Sequence, residues 1–160
     1  MREVIADTSV VQYLHQLGLL DLLRSLYGNV VIPEAVASEL RTGKALGIEL
    51  PDAPALEWIQ VRAVRDELLS RVTTELGPGE REVIAARMEA QETLALLDDR
   101  LAREHARLLG VAISGTLGVL IRAKQLGQLA AVAPVLDRLD SLRFRLDPGT
   151  RVAVLRLAGE

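Results

Sequence analysis

The sequence predicts an α/β fold with a central, mostly parallel β-sheet, and three observations lead to this prediction. Short runs of aliphatic and β-branched residues recur along the chain. Each run is followed by a longer stretch whose apolar residues have helical spacing. The strand candidates are apolar throughout, which is typical of parallel sheets. Hydrophobic residues make up 49% of the chain but include one Trp, two Tyr and one Phe, so the core must be aliphatic.

Length and composition exclude several classes of protein. The 160 residues fit one domain, residues 1–160, and no repeat, linker or low-complexity segment divides it. The absence of cysteine excludes disulfides, thiolate zinc sites and cysteine nucleophiles, and it fits a reducing cytoplasm. A net charge of -3 argues against a protein that coats nucleic acid, so phosphate binding would need a local basic patch or bound cations. We expect neither a signal peptide nor a membrane span, and therefore a cytoplasmic protein.

The first half of the chain alternates strand and helix signals. Its predicted elements are a strand at 4–6, a helix up to 26, a strand at 30–32, a helix at 33–40 and a loop at 42–54. Thr8 or Ser9 can cap the first helix through a hydroxyl oxygen. Pro33 stands at the first position of the next helix, where proline is tolerated.

The second half continues the alternation. Its predicted elements are strands at 58–64, 93–97 and 111–113, helices at 65–74, 80–90, 100–109, 117–126, 134–142 and 149–157, and an edge strand at 143–146. The turn formed by Gly77, Pro78 and Gly79 precedes the helix at 80–90. No Lys-Ser or Lys-Thr pair follows this turn, so it is not a phosphate-binding loop.

Acidic side chains stand close to the ends of the predicted strands. Asp7 follows the first strand, and Asp98 and Asp99 follow the strand at 93–97. Glu39 comes about two helical turns after the second strand, and Glu80 opens a helix after the glycine-rich turn. The functional crevice of an open parallel sheet lies beyond the carboxyl ends of its strands. We therefore expect these carboxylates to lie on one edge of the sheet.

Carboxylates gathered in this way predict a site for a hard divalent cation. Oxygen ligands suit Mg²⁺ or Mn²⁺, and without a cation several carboxylates would repel one another. Such a site supports phosphodiester hydrolysis, because the cation activates water and neutralises the leaving oxygen. Each acid alone also has an ordinary explanation as a helix cap, a dipole partner or a solvated residue, so the prediction depends on the joint arrangement.

Basic residues follow the last acidic pair. Those that could hold phosphates are Arg100, Arg103, Arg107, Arg122 and Lys124. The first three share a helix face next to the acids. A solvated face paired with Glu104 is the alternative. His15 and His105 have no second histidine at ligand spacing and are predicted to be surface or packing residues.

Five stretches of the chain carry a resemblance to a known family. They are VIADTSV, LLRSLYGNVVIPEAVASEL, LGPGEREVIAAR, LALLDDRLAREHARLLG and SGTLGVLIRAKQLG, and they extend from Val4 to about Gly127. With these motifs the sequence resembles the PIN-domain nucleases, in particular the prokaryotic DUF3368 branch. The turn that leads to Glu39 and the segment around Thr116 are the more distinguishing pieces.

The resemblance implies a three-layer α/β/α sandwich with an acidic pocket that binds Mg²⁺ or Mn²⁺. It assigns the catalytic and metal-holding roles to Asp7, Glu39, Glu80 and one of Asp98 or Asp99. Asp98 is favoured because its separation from Glu80 is similar to that in relatives, and Asp99 would then cap a helix or support the metal site.

The resemblance also implies a substrate and a biological role. By the resemblance, Thr116 would lie beside the pocket. We expect it to contact nucleic acid together with Arg100, Arg103 and Lys124 of the basic residues above. The implied activity is cleavage of single-stranded RNA, by a toxin-type enzyme paired with an antitoxin protein.

Two other functions stay open at this point. One is a catalytically weak PIN-like module that binds RNA or a partner protein. The other is an interaction protein that pairs subunits, for example as a homodimer, through the leucine-rich first helix. That helix is apolar over a wider arc than a helix buried on one side needs, although deep burial in the core would explain this equally well.

Overall fold

The computed structural model describes residues 2–160, which form a five-stranded parallel sheet flanked by α-helices in a three-layer α/β/α sandwich. The strands are β1 (Val4–Ala6), β2 (Val30–Pro33), β3 (Ile59–Arg62), β4 (Leu94–Leu96) and β5 (Ile113–Ser114). All four neighbouring pairs are parallel, as the sequence predicts.

Nine α-helices connect and cover the strands within residues 2–160. They are α1 (Thr8–Gln16), α2 (Asp21–Tyr27), α3 (Glu34–Ala45), α4 (Asp66–Leu69), α5 (Pro78–Glu89), α6 (Arg100–Leu108), α7 (Thr116–Gln125), α8 (Ala133–Ser141) and α9 (Pro148–Ala158). A short 3-10 helix spans Ala53–Ala55. None of these helices is long and apolar enough to cross a membrane.

The order of the strands determines where a crevice opens. The sheet runs β3-β2-β1-β4-β5, so the chain builds outward from β1 on one side and then returns to add β4 and β5 on the other. Ala6 is in register with Leu96, and the Asp7 amide donates to the Leu96 carbonyl at 3.0 Å. Ligands of open α/β sheets bind at such a switch point, beyond the carboxyl ends of the strands. Here that point lies directly after β1 and β4.

The core fixes the strand ends firmly. All three residues of β1 are fully buried, and α5 contacts β1, β2 and β4. Val83, Ile84 and Ala85 of α5 are also fully buried. Because β1 lies at the centre of the sheet and is covered completely, the residue that follows it has a well-defined backbone position.

Two predicted helices differ from the structure. The leucine-rich helix predicted up to residue 26 is divided into α1 and α2, because Gly18 adopts a left-handed φ of 70° after α1. Asp7, and neither Thr8 nor Ser9, occupies the N-cap position of α1. The helix predicted at 65–74 is only the single turn α4, which has no buried residue and therefore little packing to extend it.

The edge strand predicted at 143–146 is also wrong. Arg143 has a φ of 65°. The Phe144 amide donates a hydrogen bond to the Leu139 carbonyl at 3.1 Å, which terminates α8. Leu142, Phe144 and Leu146 still alternate inward and pack against the core. The alternation thus reflects a half-buried extended segment that has no neighbouring strand.

Candidate active site

Asp7 lies at the switch point and is 4% exposed. Its side chain makes no capping bond to α1, and its Oδ1 has no hydrogen-bond partner among residues 2–160. Burial raises the pKa of Asp7 to about 8; the nearby Thr8 amide lowers it, and repulsion from Glu80, Glu39 and Asp98 raises it further. A buried carboxylate oxygen without a donor is costly, and a cation is the ligand that would satisfy it.

Asp98 follows β4 and is held by the start of α7. Its Oδ1 accepts from the Thr116 amide and its Oδ2 from the Thr116 hydroxyl, both at 2.7 Å. The Ser9 hydroxyl also donates to Oδ2, at 3.3 Å. Burial raises the pKa of Asp98, against the lowering effects of Thr116, Ser9 and Arg103. A Cβ added to Gly115 would lie 2.7 Å from Asp98 Oδ1, so glycine permits this close approach.

Glu39 links α3 to the start of α5. The Thr8 hydroxyl donates to its Oε2, and the Gly79 amide donates to its Oε1 at 2.9 Å. A Cβ on Gly79 would lie 2.6 Å from Glu39 Oε2. Thr8, which follows Asp7, and Gly79, which precedes Glu80, therefore both bind the Glu39 carboxylate. These contacts bring Asp7, Glu39 and Glu80 to the same place.

Glu80 and Asp99 are near enough for the charge of Asp99 to act on Glu80. Glu80 Oε2 accepts from the Gly77 amide at 3.1 Å, and burial raises the pKa of Glu80, with repulsion from Asp99 and Glu39 added. Asp99 is exposed and caps α6, since its Oδ2 accepts from the Ala102 amide at 2.9 Å. The two adjacent acids therefore have different partners: Asp98 binds Thr116, and Asp99 binds its own helix.

The donor set fits a hard divalent cation. The structure brings Asp7, Glu39, Glu80 and Asp98 to one edge of the sheet. The negative charges of the other three raise the pKa of Asp7. As they stand, no three acidic or imidazole side chains of residues 2–160 converge closely enough to hold one ion. Mg²⁺ needs few carboxylates because it keeps several waters. The orphaned Asp7 oxygen and the all-oxygen surroundings are the features that match such an ion.

The basic candidates lie at different distances from these acids. Arg103 is partly buried beside Asp98, and its Nη1 donates to the Leu97 carbonyl at 2.8 Å. The Arg100 side chain is 93% exposed and pairs with Glu104 at 3.1 Å. Lys124 lies in the last turn of α7, where its Nζ donates to the Ala130 carbonyl at 2.6 Å. The structure thus brings Arg103 to the acids and places Lys124 at the far end of the helix that Thr116 begins.

Sequence reasoning did not assign a role in the site to Thr8 and Ser9. Their hydroxyls bind Glu39 and Asp98 respectively, so this pair positions one acid on each side of Asp7. The signal that could have found them is the run of hydroxyl residues directly after the acid that ends β1. In the sequence alone, helix capping explained the same run.

Comparisons with known proteins agree with this architecture. The DUF3368 family, described as a PIN domain, matches residues 3–160. The chain belongs to the PIN-domain family. Among solved structures, this PIN domain is similar to the PIN domain endonuclease Utp24, with a TM-score of 0.51 and 19% identity over 71% of this chain and 84% of that chain. At that identity the likeness shows the fold alone. A comparison with curated proteins finds no match.

Gly115→Ala tests how closely this PIN domain depends on its glycine contacts. The added methyl would meet Asp98 Oδ1 at 2.7 Å and the Leu97 carbonyl oxygen, a backbone atom, at 2.8 Å. We expect nuclease activity to fall by about 10²-fold and stability by roughly 1–3 kcal/mol, because Asp98 or the end of β4 must shift. Gly77→Ala is the control, since its Cβ would make only an ordinary contact of 3.7 Å with Glu80. Equal losses in both variants would contradict a specific effect.

A second pair of variants separates the roles of Asp98 and Asp99. Asp98→Asn removes a charge at the switch point, so we expect Mn²⁺ binding measured by calorimetry to weaken by about 10-fold or more. Asp99→Asn keeps a good capping residue at the start of α6, and Mn²⁺ affinity should stay close to that of the unmodified protein. The opposite ranking would move the site by one residue.

Proposed function

We propose that this PIN domain is a Mg²⁺- or Mn²⁺-dependent endoribonuclease that hydrolyses phosphodiester bonds of single-stranded RNA. The observation that carries the proposal is Asp7, a buried carboxylate with an unpartnered oxygen and three further acids around it. Such an arrangement is destabilising unless it binds a cation or a proton, and active sites are where this kind of cost is found.

The four acids would hold the cation between them, directly or through water. When bound, the cation supplies activation of a water and neutralisation of charge on the phosphate. Asp7 has the most constrained position because it follows the buried β1. Thr116 and Thr8 fix Asp98 and Glu39 through their hydroxyls. Water would attack the phosphorus, and the bond from phosphorus to the 3′ oxygen of the preceding nucleotide would break. That oxygen would take up a proton, which leaves 5′-phosphate and 3′-hydroxyl ends.

A cavity beside Asp98 supports a nucleotide substrate. Its volume is about 400 Å³, within the range of small-ligand sites. Arg103 and Arg145 supply positive charge, and Phe144 supplies an aromatic surface on which a base could stack. A strand of RNA with its scissile phosphate at the acids could place a neighbouring nucleotide here. The choice of RNA over DNA comes from the family resemblance.

The decisive experiment is cleavage of a labelled single-stranded RNA by the full chain. We expect cleavage with Mg²⁺ or Mn²⁺, none with EDTA, and slower or no cleavage of single-stranded DNA with the same sequence. Cleavage that persists in EDTA would contradict metal dependence, and faster cleavage of DNA would contradict the assigned substrate.

The toxin role is a separate part of the proposal. Induced expression of the protein should arrest cell growth, whereas expression of Asp7→Asn should not. An antitoxin protein would be one that restores growth and copurifies with the chain. Normal growth together with efficient RNA cleavage in vitro would contradict the toxin role and leave the nuclease activity intact.

One observation favours a second candidate, a PIN module that binds RNA or a protein without efficient cleavage. Glu39, Glu80 and Asp98 already accept hydrogen bonds from the protein, and no three acids of residues 2–160 converge. A module of this kind would bind RNA with or without divalent ions and leave it intact. The cleavage assay above distinguishes the two candidates directly.

A further inference from the structure

Helix α5 carries an unexplained buried charge at the end remote from Glu80. Arg87 lies in its last turn, about 10 Å along the helix from Glu80, and is 9% exposed. Its Nε has no hydrogen-bond partner among residues 2–160, and it takes part in none of the ion pairs formed by that part of the chain. Buried guanidinium groups normally have hydrogen-bond partners and a carboxylate in an ion pair, because an unpaired buried charge is costly.

Arg87 lines a cavity of about 360 Å³ between the end of α5 and the turn that follows α6. Arg71 and Gln91 contribute to the same cavity. The cavity lies where the strands begin, since Glu92 precedes β4 and Val111 precedes β5. Asp7 and Asp98 lie where β1 and β4 end, so this cavity is distinct from the proposed active site.

The charge around the cavity is positive. Arg71 is exposed and is likewise absent from the ion pairs of residues 2–160. Arg2 adds a third guanidinium to the adjoining turn, where it donates to the carbonyls of Glu92 and Thr93, both at 3.0 Å. Against these stands the exposed carboxylate of Glu92, which forms no ion pair within the described residues.

Two other negative groups near the end of α5 do not balance this charge. Glu89 pairs with Arg65 at 2.8 Å. The carboxyl end of a helix supplies only about half a unit of negative charge. The guanidinium groups of Arg87 and Arg71 therefore lack a full counter-charge from the chain.

We propose that this cavity is a second binding site, and that its ligand is a phosphate group held by Arg87 and Arg71 with the Gln91 amide. Guanidinium groups match phosphate through paired, charge-assisted hydrogen bonds, and the cavity has room for a phosphate together with part of a nucleoside. Inorganic phosphate, a nucleoside monophosphate and the terminal phosphate of an RNA share this chemistry.

The test is a titration of the full chain with inorganic phosphate at constant ionic strength, in EDTA so that no cation at the acids can bind the anion. Phosphate should raise the melting temperature by about 3–6 °C at ten times its Kd. Arg71→Gln changes an exposed residue without an ion pair, so the fold should persist, and it should weaken binding at least 10-fold. Arg87→Gln should abolish it. Arg156→Gln, an exposed arginine of α9, is the control and should bind normally.

Glu92→Gln provides the opposite test, because removal of the opposing carboxylate should tighten phosphate binding several-fold. The same titration with a nucleoside monophosphate, and with a short RNA with and without its terminal phosphate, identifies the source of the group by its tighter, Arg87-dependent binding. The proposal is overturned if phosphate binds equally to the wild type, Arg71→Gln and Arg87→Gln. It is also overturned if phosphate binds only when Glu92 is replaced, since Glu92 would then be the partner of Arg87.

Discussion

Asp7→Asn should reduce metal-dependent RNA cleavage by at least about 10²-fold, on the scale of losing a charge-stabilising group in an active site. Asparagine keeps the size of the side chain but removes the charge that would hold the cation. The fold should persist, because the Asp7 side chain makes no capping bond that the substitution could break. RNA binding should be retained or become tighter, since a carboxylate that repels phosphate is gone. The measurement is initial cleavage rate of labelled single-stranded RNA in Mg²⁺ or Mn²⁺.

The matched control for this prediction is Asp99→Asn, an exposed acid of the same edge whose capping role asparagine can fill. It should retain most of the activity. Equal residual cleavage by wild type and Asp7→Asn, unchanged in EDTA, would identify the activity as a contaminant. In that case the binding module would be the better description of this PIN domain.

The sheet could be predicted because its signals are local. Val4–Ala6 and Val30–Pro33 are buried on both faces, so each strand is a continuous apolar run that needs no knowledge of its neighbours. The failures occurred where a local pattern depends on distant partners. Alternation at 143–146 is the same in a paired strand and in a segment packed on the core. Leucine spacing continues through Gly18, although its left-handed φ interrupts the helix there.

The acids of the site could be predicted for the same reason, since a parallel strand places the residue after it at a known edge. The partners of those acids could not. Thr8 donates to a carboxylate on α3, and Thr116 to one that follows β4, so both contacts depend on how the helices pack. Lys124 shares α7 with Thr116, but sequence spacing did not reveal that its Nζ donates to the Ala130 carbonyl, beyond the end of α7 remote from Thr116. Phe144 and Arg145 reach the cavity beside Asp98 only through the packing of the C-terminal segment.

In the absence of divalent ions, the stability of this PIN domain should fall as the pH rises from about 5 to 9. Burial raises the pKa of Asp7 to about 8 in the folded chain, whereas an unfolded aspartate titrates near 3.9. Between these values the folded chain keeps a proton that the unfolded chain has released, so stability decreases with pH. The raised pKa values of Glu80 and Asp98 act in the same direction.

The expected size of this effect is large for a single group. The whole shift corresponds to roughly 6 kcal/mol, of which about 4 kcal/mol falls between pH 5 and pH 9. This is a sizeable part of the roughly 5–15 kcal/mol typical of whole domains. The melting temperature in EDTA should therefore drop by on the order of 10 °C between the two pH values. Saturating Mg²⁺ or Mn²⁺ should reverse the drop, because a cation that binds the ionised site stabilises only the folded chain.

The difference between wild type and Asp7→Asn isolates the contribution of Asp7, since every other titrating group is common to both. In EDTA the melting temperature of the variant should fall less than that of the wild type, because only Glu80 and Asp98 still contribute to the decline. The variant should exceed the wild type at pH 9, where the wild type holds a buried charge without a partner. Asp99→Asn should follow the wild-type curve. Parallel plots of melting temperature against pH for wild type and Asp7→Asn would mean that the Asp7 carboxylate ionises without a cost in stability. The main argument for a cation at the end of β1 would then fail.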